Sequence, residues 1–408
     1  MADDRTFVII GGGQSGGWTA KTLRGEGFEG RVLLIADEPY IPYERPPLSK
    51  EVLLGDQPPE STYLWPADSY DESNIELRLG VQATRISPAD HTIEIDGGET
   101  VPYDRLMIAT GARVRRLPVS GAELAGVHYL RGIRDTEAIR ADLNADSRVV
   151  VVGGGWIGLE VAAAASKLGG HVTVVEALGQ LCGRALTPDL ADWVLAMHRR
   201  HGVDVRLEAA VDLFSGDGRV SQATLSDGTS IDADLVVIGI GVVPNVELAE
   251  KAGLDVDNGI VVDEMGRTSD PDIFAAGDVT NHPNGLLGRR VRLESWENAQ
   301  NQAIAAAKAM LDAGSAYSEI PWFWSDQYDA NIQLIGLPEG WTETVTRGDR
   351  DAGQFVVFYL KDGRIDGAAA INNPRDIRFA RRLMAAGKVV DPAQLADPDV
   401  KLQALLKG

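Results

Sequence analysis

Phe7-Val8-Ile9-Ile10-Gly11-Gly12-Gly13-Gln14-Ser15-Gly16 is the stretch on which the fold turns. Four apolar residues run straight into Gly-x-Gly-x-x-Gly, and a helical pattern follows through Thr19, Ala20 and Leu23. A strand before the glycines and a helix after them turn a weak motif into a strong one. Gly11 is expected to allow the tight turn, Gly13 to let a pyrophosphate approach the backbone, and Gly16 to let helix pack on strand. The helix N-terminus then faces the phosphates. Arg31 to Ala36 reads as the next buried strand, ending in Asp37-Glu38, where a carboxylate accepts a ribose hydroxyl's hydrogen bond. Asp37 is the expected acceptor.

The pattern then returns. Arg148 to Val152 leads into Gly153-Gly154-Gly155-Trp156-Ile157-Gly158, a helix is expected over Leu159 to Leu168, and a strand over His171 to Val175 ends in Glu176. Two dinucleotide units in one chain point to a relay, because a simple dehydrogenase needs only one. Glu176 takes the ribose position of the second unit, and Ala177-Leu178-Gly179 brings no cation to a 2′-phosphate, which favours NADH over NADPH. Arg184 is the nearest residue that can approach such a phosphate.

Composition narrows the chemistry. At roughly 150 residues per domain, 408 residues make two to three domains. The single cysteine, Cys182, cannot form an intrachain disulfide, a redox dithiol, a Cys-rich zinc site or a four-cysteine iron–sulfur cluster. Any electron handled here therefore sits on something bound. A net charge of −21 disfavours nucleic acid and anionic membrane surfaces. Met1 to Arg5 is polar and later apolar runs such as Leu235 to Val243 are short, so neither a leader nor a membrane span is expected and the reading is cytoplasmic. No metal site is expected: His198 and His201 lie three apart on a helix with no third ligand and read as solvated residues, and Cys182 reads as a buried or loop thiol.

Further motifs carry a family likeness. Tyr103-Asp104-Arg105-Leu106-Met107-Ile108-Ala109-Thr110-Gly111, Asp272-Ile273-Phe274-Ala275-Ala276-Gly277-Asp278-Val279, Pro46-Pro47-Leu48-Ser49-Lys50 and Trp322-Phe323-Trp324-Ser325-Asp326-Gln327-Tyr328 join the paired glycine motifs. Together they resemble, over nearly the whole chain, the FAD-dependent NADH:ferredoxin reductases of the putidaredoxin reductase type, within the glutathione-reductase structural class. The resemblance implies an α/β fold with two Rossmann-like dinucleotide-binding domains and a C-terminal α+β domain. Residues 1–114 and 245–318 would form a discontinuous FAD domain, 115–244 an NAD domain and 319–408 the C-terminal domain. Pro and Arg interrupt apolar strands near Arg113 to Pro118 and near Pro244, in keeping with those divisions.

The resemblance also assigns residues. Gly11, Gly13, Ser15, Gly16, Asp37, Lys50, Ala83, Arg131, Asp278 and Trp296 match FAD-contacting positions, with Ala83 contributing backbone and Trp296 replacing a smaller residue. Gly153, Gly155, Ile157, Gly158, Glu160 and Glu176 match the NAD side. Asp278 would accept from a ribityl hydroxyl, and the helix starting near Ser295 would aim its amides at the flavin's pyrimidine edge. Related NADH oxidases and peroxidases place a redox Cys after Leu-Ser, where this chain has Lys50 after Leu48-Ser49, so the chemistry would stop at the flavin. By the same analogy Lys50 pairs with Glu160 close to flavin N5 and the nicotinamide, and these two are the catalytic candidates.

Electrons would then leave one at a time to a [2Fe-2S] ferredoxin that feeds a cytochrome P450 or a Rieske-type oxygenase of aromatic hydrocarbon catabolism, with Trp322, Phe323 and Trp324 shaping the route. An acidic ferredoxin must meet a local basic face on this acidic chain. Candidates are Arg289, Arg290 and Arg292, and Arg375, Arg378, Arg381, Arg382 and Lys388, of which Arg378, Arg381 and Arg382 share a helical face by spacing. Two other readings use the same folds: another FAD/NADH oxidoreductase, such as an NADH oxidase, monodehydroascorbate reductase or nitrite reductase component, and a redox-sensing binding module. The first differs in its acceptor, and the second would hold NADH without passing electrons on.

Overall fold

Thr6–Ile10 is the central strand of a parallel sheet, and its composition says why. Phe7, Val8 and Ile9 are fully buried, as expected for a strand covered on both faces. The sheet runs Ile273–Ala275, Arg105–Ile108, Thr6–Ile10, Arg31–Ala36, Ile75–Leu79. The first of these strands comes from far along the chain, so the chain returns to its first sheet late. A computed structural model underlies this description and covers residues 3–407.

A second parallel sheet repeats the plan in the order Asp204–Arg206, His171–Val175, Arg148–Val152, Leu235–Ile238, Val127–Tyr129. Its motif helix is Trp156–Lys167, starting earlier than the apolar pattern indicates because Gly155 already serves as N-cap. The two crossings between the units lie side by side: Ala112–Val114 pairs antiparallel with Val242–Pro244. A third sheet, antiparallel, orders Trp322–Gln327, Ala330–Gly336, Arg364–Ile371, Gln354–Lys361, Glu343–Asp349. The helix Pro374–Ala385 covers it with Ile377, Ala380 and Leu383.

The units share an interior. One apolar cluster joins Leu48 and Val52 beside the first sheet, Val161 and Leu190 on helices of the second, and Phe355 and Val357 of the third. Shared burial of this kind fixes orientation, since each apolar side chain returned to water costs roughly 1.5–3 kcal/mol. Among the described residues no helix is long and apolar enough to cross a membrane.

One buried group is poorly served. His282 lies against the Tyr317 ring, and neither ring nitrogen has a hydrogen-bond partner among the described residues. Burial, with Arg290 nearby, pushes its pKa down to about 4. The unfolded chain therefore takes up a proton that the folded chain refuses, and stability is lost as pH falls from about 6.5 toward 4. His282→Leu is expected to flatten the fall in melting temperature across that window, as circular-dichroism melts would record.

Candidate active site

Both glycine loops open into one continuous cavity of about 1580 Å³, larger than the roughly 300–1,000 Å³ usual for a single small ligand. Each loop is shaped by close backbone contacts. Gly11 has φ +120°, and a Cβ there would lie 2.2 Å from Ala109 O; on Gly16 it would lie 1.8 Å from Gly11 O. Gly153 and Gly158 repeat this, at 2.5 Å from Gly239 O and 2.1 Å from Gly153 O. Nothing lies within 4 Å of a Cβ built on Gly13 or Gly155, so the middle glycines present open backbone to the cavity. Gly13 and Gly155 are the N-caps of Gln14–Gly25 and Trp156–Lys167, and neither helix has a side-chain cap. Their first N–H groups are left for an anion.

Around the first loop the expected residues converge. Ser15, Asp37, Lys50, Ala83, Arg131, Asp278 and Trp296 all line the cavity. Ser15 Oγ donates to Ala299 O at 2.8 Å, while Gln302 accepts from Gly277 N–H and Thr280 Oγ1, both at 2.9 Å, holding the turn that presents Asp278. Asp278 Oδ2 lies 3.3 Å from Arg131 Nη2. Burial raises the Asp278 carboxyl above its ordinary value against the pull of Arg131, and burial with Arg45 nearby lowers the Arg131 guanidinium. Asp135 places Arg131 by accepting from its backbone N–H at 2.8 Å and from Gly132 N–H at 2.9 Å. Buried Arg131 Nε has no partner among the described residues. An unpartnered cationic donor, a second guanidinium and an uncapped helix on one cavity wall suit a pyrophosphate.

Sequence reasoning missed that second guanidinium. Arg45 lines the cavity, donates to Tyr43 OH at 2.8 Å and Arg131 O at 2.7 Å, and pairs with Glu38 at 3.2 Å. Glu38 is thereby engaged, also accepting from Tyr43 OH at 2.8 Å, whereas Asp37 is exposed at the cavity wall. The two ribose carboxylates expected from the sequence, Asp37 and Glu176, are also not register equivalents. Ile10 pairs with Ile35 as Val152 pairs with Val175, so Ala36 takes the place of Glu176 and Asp37 lies one residue further. Glu176 accepts from Gly154 N–H at 2.7 Å and Leu178 N–H at 2.8 Å, which ties it to its own loop. Ile157 is exposed at the cavity and Arg184 lines the same wall.

Lys50 and Glu160 meet where the units meet. Lys50 Nζ lies 3.0 Å from Glu160 Oε2, with the side chains 11% and 3% exposed. Ser49 Oγ donates to Oε2 at 2.5 Å and Ser325 Oγ to Oε1 at 2.6 Å. Of the aromatics, Trp324, Phe323 and Trp296 line the cavity, and Trp156, unremarked in the sequence, packs on Phe323 at 5.1 Å. Trp296 Nε1 donates to Glu44 at 2.7 Å. Trp322 is not a lining residue: it stacks on Trp324 at 4.9 Å and packs into the third unit's core. Ser295 N-caps Trp296–Ala309 while its hydroxyl donates to Trp322 O at 2.7 Å, so that helix's first amides also face the cavity uncapped.

Comparison with known proteins places this arrangement. The family model described as "Pyridine nucleotide-disulphide oxidoreductase" matches residues 5–303, and "Reductase C-terminal" matches 322–406. The chain belongs to the pyridine nucleotide-disulphide oxidoreductase family. Within the family it is 47% identical to the ferredoxin–NAD(+) reductase component of the anthranilate 1,2-dioxygenase system of Burkholderia cepacia, covering 98% of this chain and 99% of that one. It is 44% identical to rhodocoxin reductase of Rhodococcus erythropolis, covering 98% and 93%. The crystal structure of the covalent putidaredoxin reductase–putidaredoxin complex superposes at a TM-score of 0.96 and 39% identity over 100% of this chain and 99% of that one. The α/β fold with an added C-terminal domain read from the sequence is the fold of this family.

In this family member the Lys50–Glu160 pair is too buried to be broken cheaply. Lys50→Met leaves a carboxylate without its cation and is expected to cost about 3 kcal/mol. Lys50→Met combined with Glu160→Gln is expected to cost less than half of that. Urea denaturation of the two variants is the check.

Proposed function

We propose that this protein is an FAD-dependent NADH:ferredoxin reductase, passing electrons one at a time to a [2Fe-2S] ferredoxin that feeds a cytochrome P450 or Rieske-type oxygenase. One observation carries the reading: two dinucleotide loops open into a single cavity, with Lys50 from one unit paired to Glu160 from the other. The named relatives, reductases of dioxygenase and other ferredoxin-dependent systems, support the acceptor class. When bound, FAD supplies the redox chemistry, taking hydride from NADH and releasing electrons singly.

The chain's own residues do the holding and aiming. The Gly11–Gly16 loop, Ser15, Asp37, Ala83, Arg131 and Asp278 hold FAD, with Arg45 added to that set and residues 1–114 and 245–318 as its domain. Gly153, Gly155, Ile157, Gly158 and Glu176 hold NADH on residues 115–244. Lys50 and Glu160 present a matched pair of charges where the two nucleotides meet, and Trp296 and Trp324 exclude water from the same wall. Residues 319–408 supply Trp324 and the outer helix. Cys182 is buried with Sγ toward Gly154 O, and burial raises its thiol well above the ordinary value, so no thiol step intervenes. A cytoplasmic setting fits the use of NADH.

The basic face is sharper than the sequence suggested. Arg381 turns inward to Glu297 at 2.7 Å and Glu319 at 3.7 Å, so it leaves the face shared with Arg378 and Arg382. Arg375, Arg378 and Arg382 stay exposed along one side of Pro374–Ala385. Arg289 and Arg292 are paired with Glu339 and Glu294, and Arg290 is bound to Asn281 and Val262 O. Arg381, by reaching Glu297, ties the helix that carries this trio to the first turn of Trp296–Ala309, whose Trp296 lines the cavity.

NADH oxidation measured against a panel of [2Fe-2S] ferredoxins, with the flavin spectrum recorded, tests the reading; turnover with oxygen alone would sink it. Replacing Arg375, Arg378 and Arg382 by Glu is expected to slow ferredoxin reduction at least tenfold while NADH-to-ferricyanide turnover holds, and equal loss of both would end the docking assignment. Glu176→Ala is expected to raise the KM for NADH roughly tenfold with kcat within about twofold, the loss of one charge-assisted hydrogen bond.

A further inference from the structure

His198 is fully buried, contrary to its reading as a solvated helix residue. It falls on the inward stripe of Pro188–Arg200 with Leu190, Ala191, Val194 and Met197. Its Nε2 lies 2.8 Å from Gln327 Oε1; Gln327 Nε2 lies 3.0 Å from Ser325 Oγ; Ser325 Oγ lies 2.6 Å from Glu160 Oε1. On the other side His198 Nδ1 lies 3.2 Å from Tyr328 OH. Ser325 and Gln327 are as buried as His198. A continuous polar thread thus runs from the cavity wall, alongside helix Trp156–Lys167, to Tyr328, whose ring stacks on His201 at 3.6 Å.

The thread has a direction. An amide oxygen only accepts and an amide nitrogen only donates. With Gln327 as placed, His198 carries its proton on Nε2, Gln327 N–H donates to Ser325, and the Ser325 hydroxyl is free to donate to Glu160. Tyr328 O–H then donates to Nδ1. Reversing the amide would make Ser325 donate to Gln327 and leave its bare oxygen facing a carboxylate oxygen at 2.6 Å, a repulsive contact. Every donor therefore points toward Glu160.

We propose that Ser325, Gln327 and His198 are positioning residues for the NADH step, a buried chain of donors that aims the Glu160 carboxylate at Lys50. This rests on the reductase reading only in taking Glu160 to lie where the two nucleotides meet. Lys50 and Ser49 are the other groups on Glu160, and Tyr328 and His201 face His198. Burial holds His198 at a pKa of about 4, so its ring stays neutral, as an acceptor–donor link requires.

Two measurements on the holoenzyme test it. Nitrogen-15 NMR of His198 is expected to show a neutral ring with the proton on Nε2 from about pH 5.5 to 8; a proton on Nδ1, or a charged ring at neutral pH, overturns the chain. Gln327→Glu keeps the pattern while the new carboxyl is protonated. Once ionised it only accepts, drawing the Ser325 hydroxyl away from Glu160. Ferricyanide-coupled turnover at saturating NADH is expected to fall roughly tenfold or more between about pH 5.5 and 8, with the KM for NADH within about twofold. The flavin midpoint potential should part from that of the unmodified enzyme over the same range. A folded variant that tracks the unmodified enzyme in rate and potential overturns the proposal, and one that does not fold leaves the NMR result to decide. None of these readouts uses ferredoxin, so failure to reduce any ferredoxin would count against the function alone.

Discussion

The buried carboxylate of Glu160 is the constraint to which the rest of the molecule conforms. A charge so enclosed is costly unless every lone pair finds a donor. Here the donors come from different places: Lys50 and Ser49 from the first unit, Ser325 from the third, with Glu160 itself on a helix of the second. No single unit can satisfy it. The shared apolar cluster around Leu48, Val161 and Phe355 then does more than bury area, since it holds three separately built pieces in the one orientation in which that carboxylate is paid for.

The two nucleotide loops show how one local solution serves two tasks. The contacts that shape them are the same, carbonyl oxygens pressed against the first and last glycine and an open middle glycine. What differs is the surrounding charge. The first loop faces Arg131, Arg45 and Asp278, whereas the second has a carboxylate, Glu176, tied back to its own backbone. The duplicated scaffold sets the geometry of both loops, and the added side chains give each loop different surroundings.

Much of this was legible in the sequence because it is local. Strand, glycine turn and helix follow one another within about 25 residues, so both strands Arg31–Ala36 and His171–Val175 appear where the apolar runs place them. The Lys50–Glu160 contact came by analogy, and no spacing rule would reveal it. Arg45 and Tyr43 were missed, and Glu38 was weighed only as a ribose carboxylate, since nothing in their order says that they fold together beside Arg131. His198 is different, because a signal existed: it sits on the apolar stripe of an amphipathic helix, and a polar residue there is a buried residue in need of a partner. Arg381 shows the converse, for spacing grouped it with its exposed neighbours while Glu297, distant in sequence, drew it away.

The paired crossings Ala112–Val114 and Val242–Pro244 have a consequence for how such chains diversify. Because the inserted unit leaves and returns through one two-stranded ribbon, its ends are neighbours, and a cut at that ribbon frees a contiguous segment whose gap a short turn can close. The inserted portion is thus a cassette in topology. It is not one in packing, since Val161 and Leu190 share an interior with Leu48 and Phe355. Exchange of the segment between relatives can therefore succeed only when that buried face travels with it, because a mismatched face would leave holes or clashes in the shared interior.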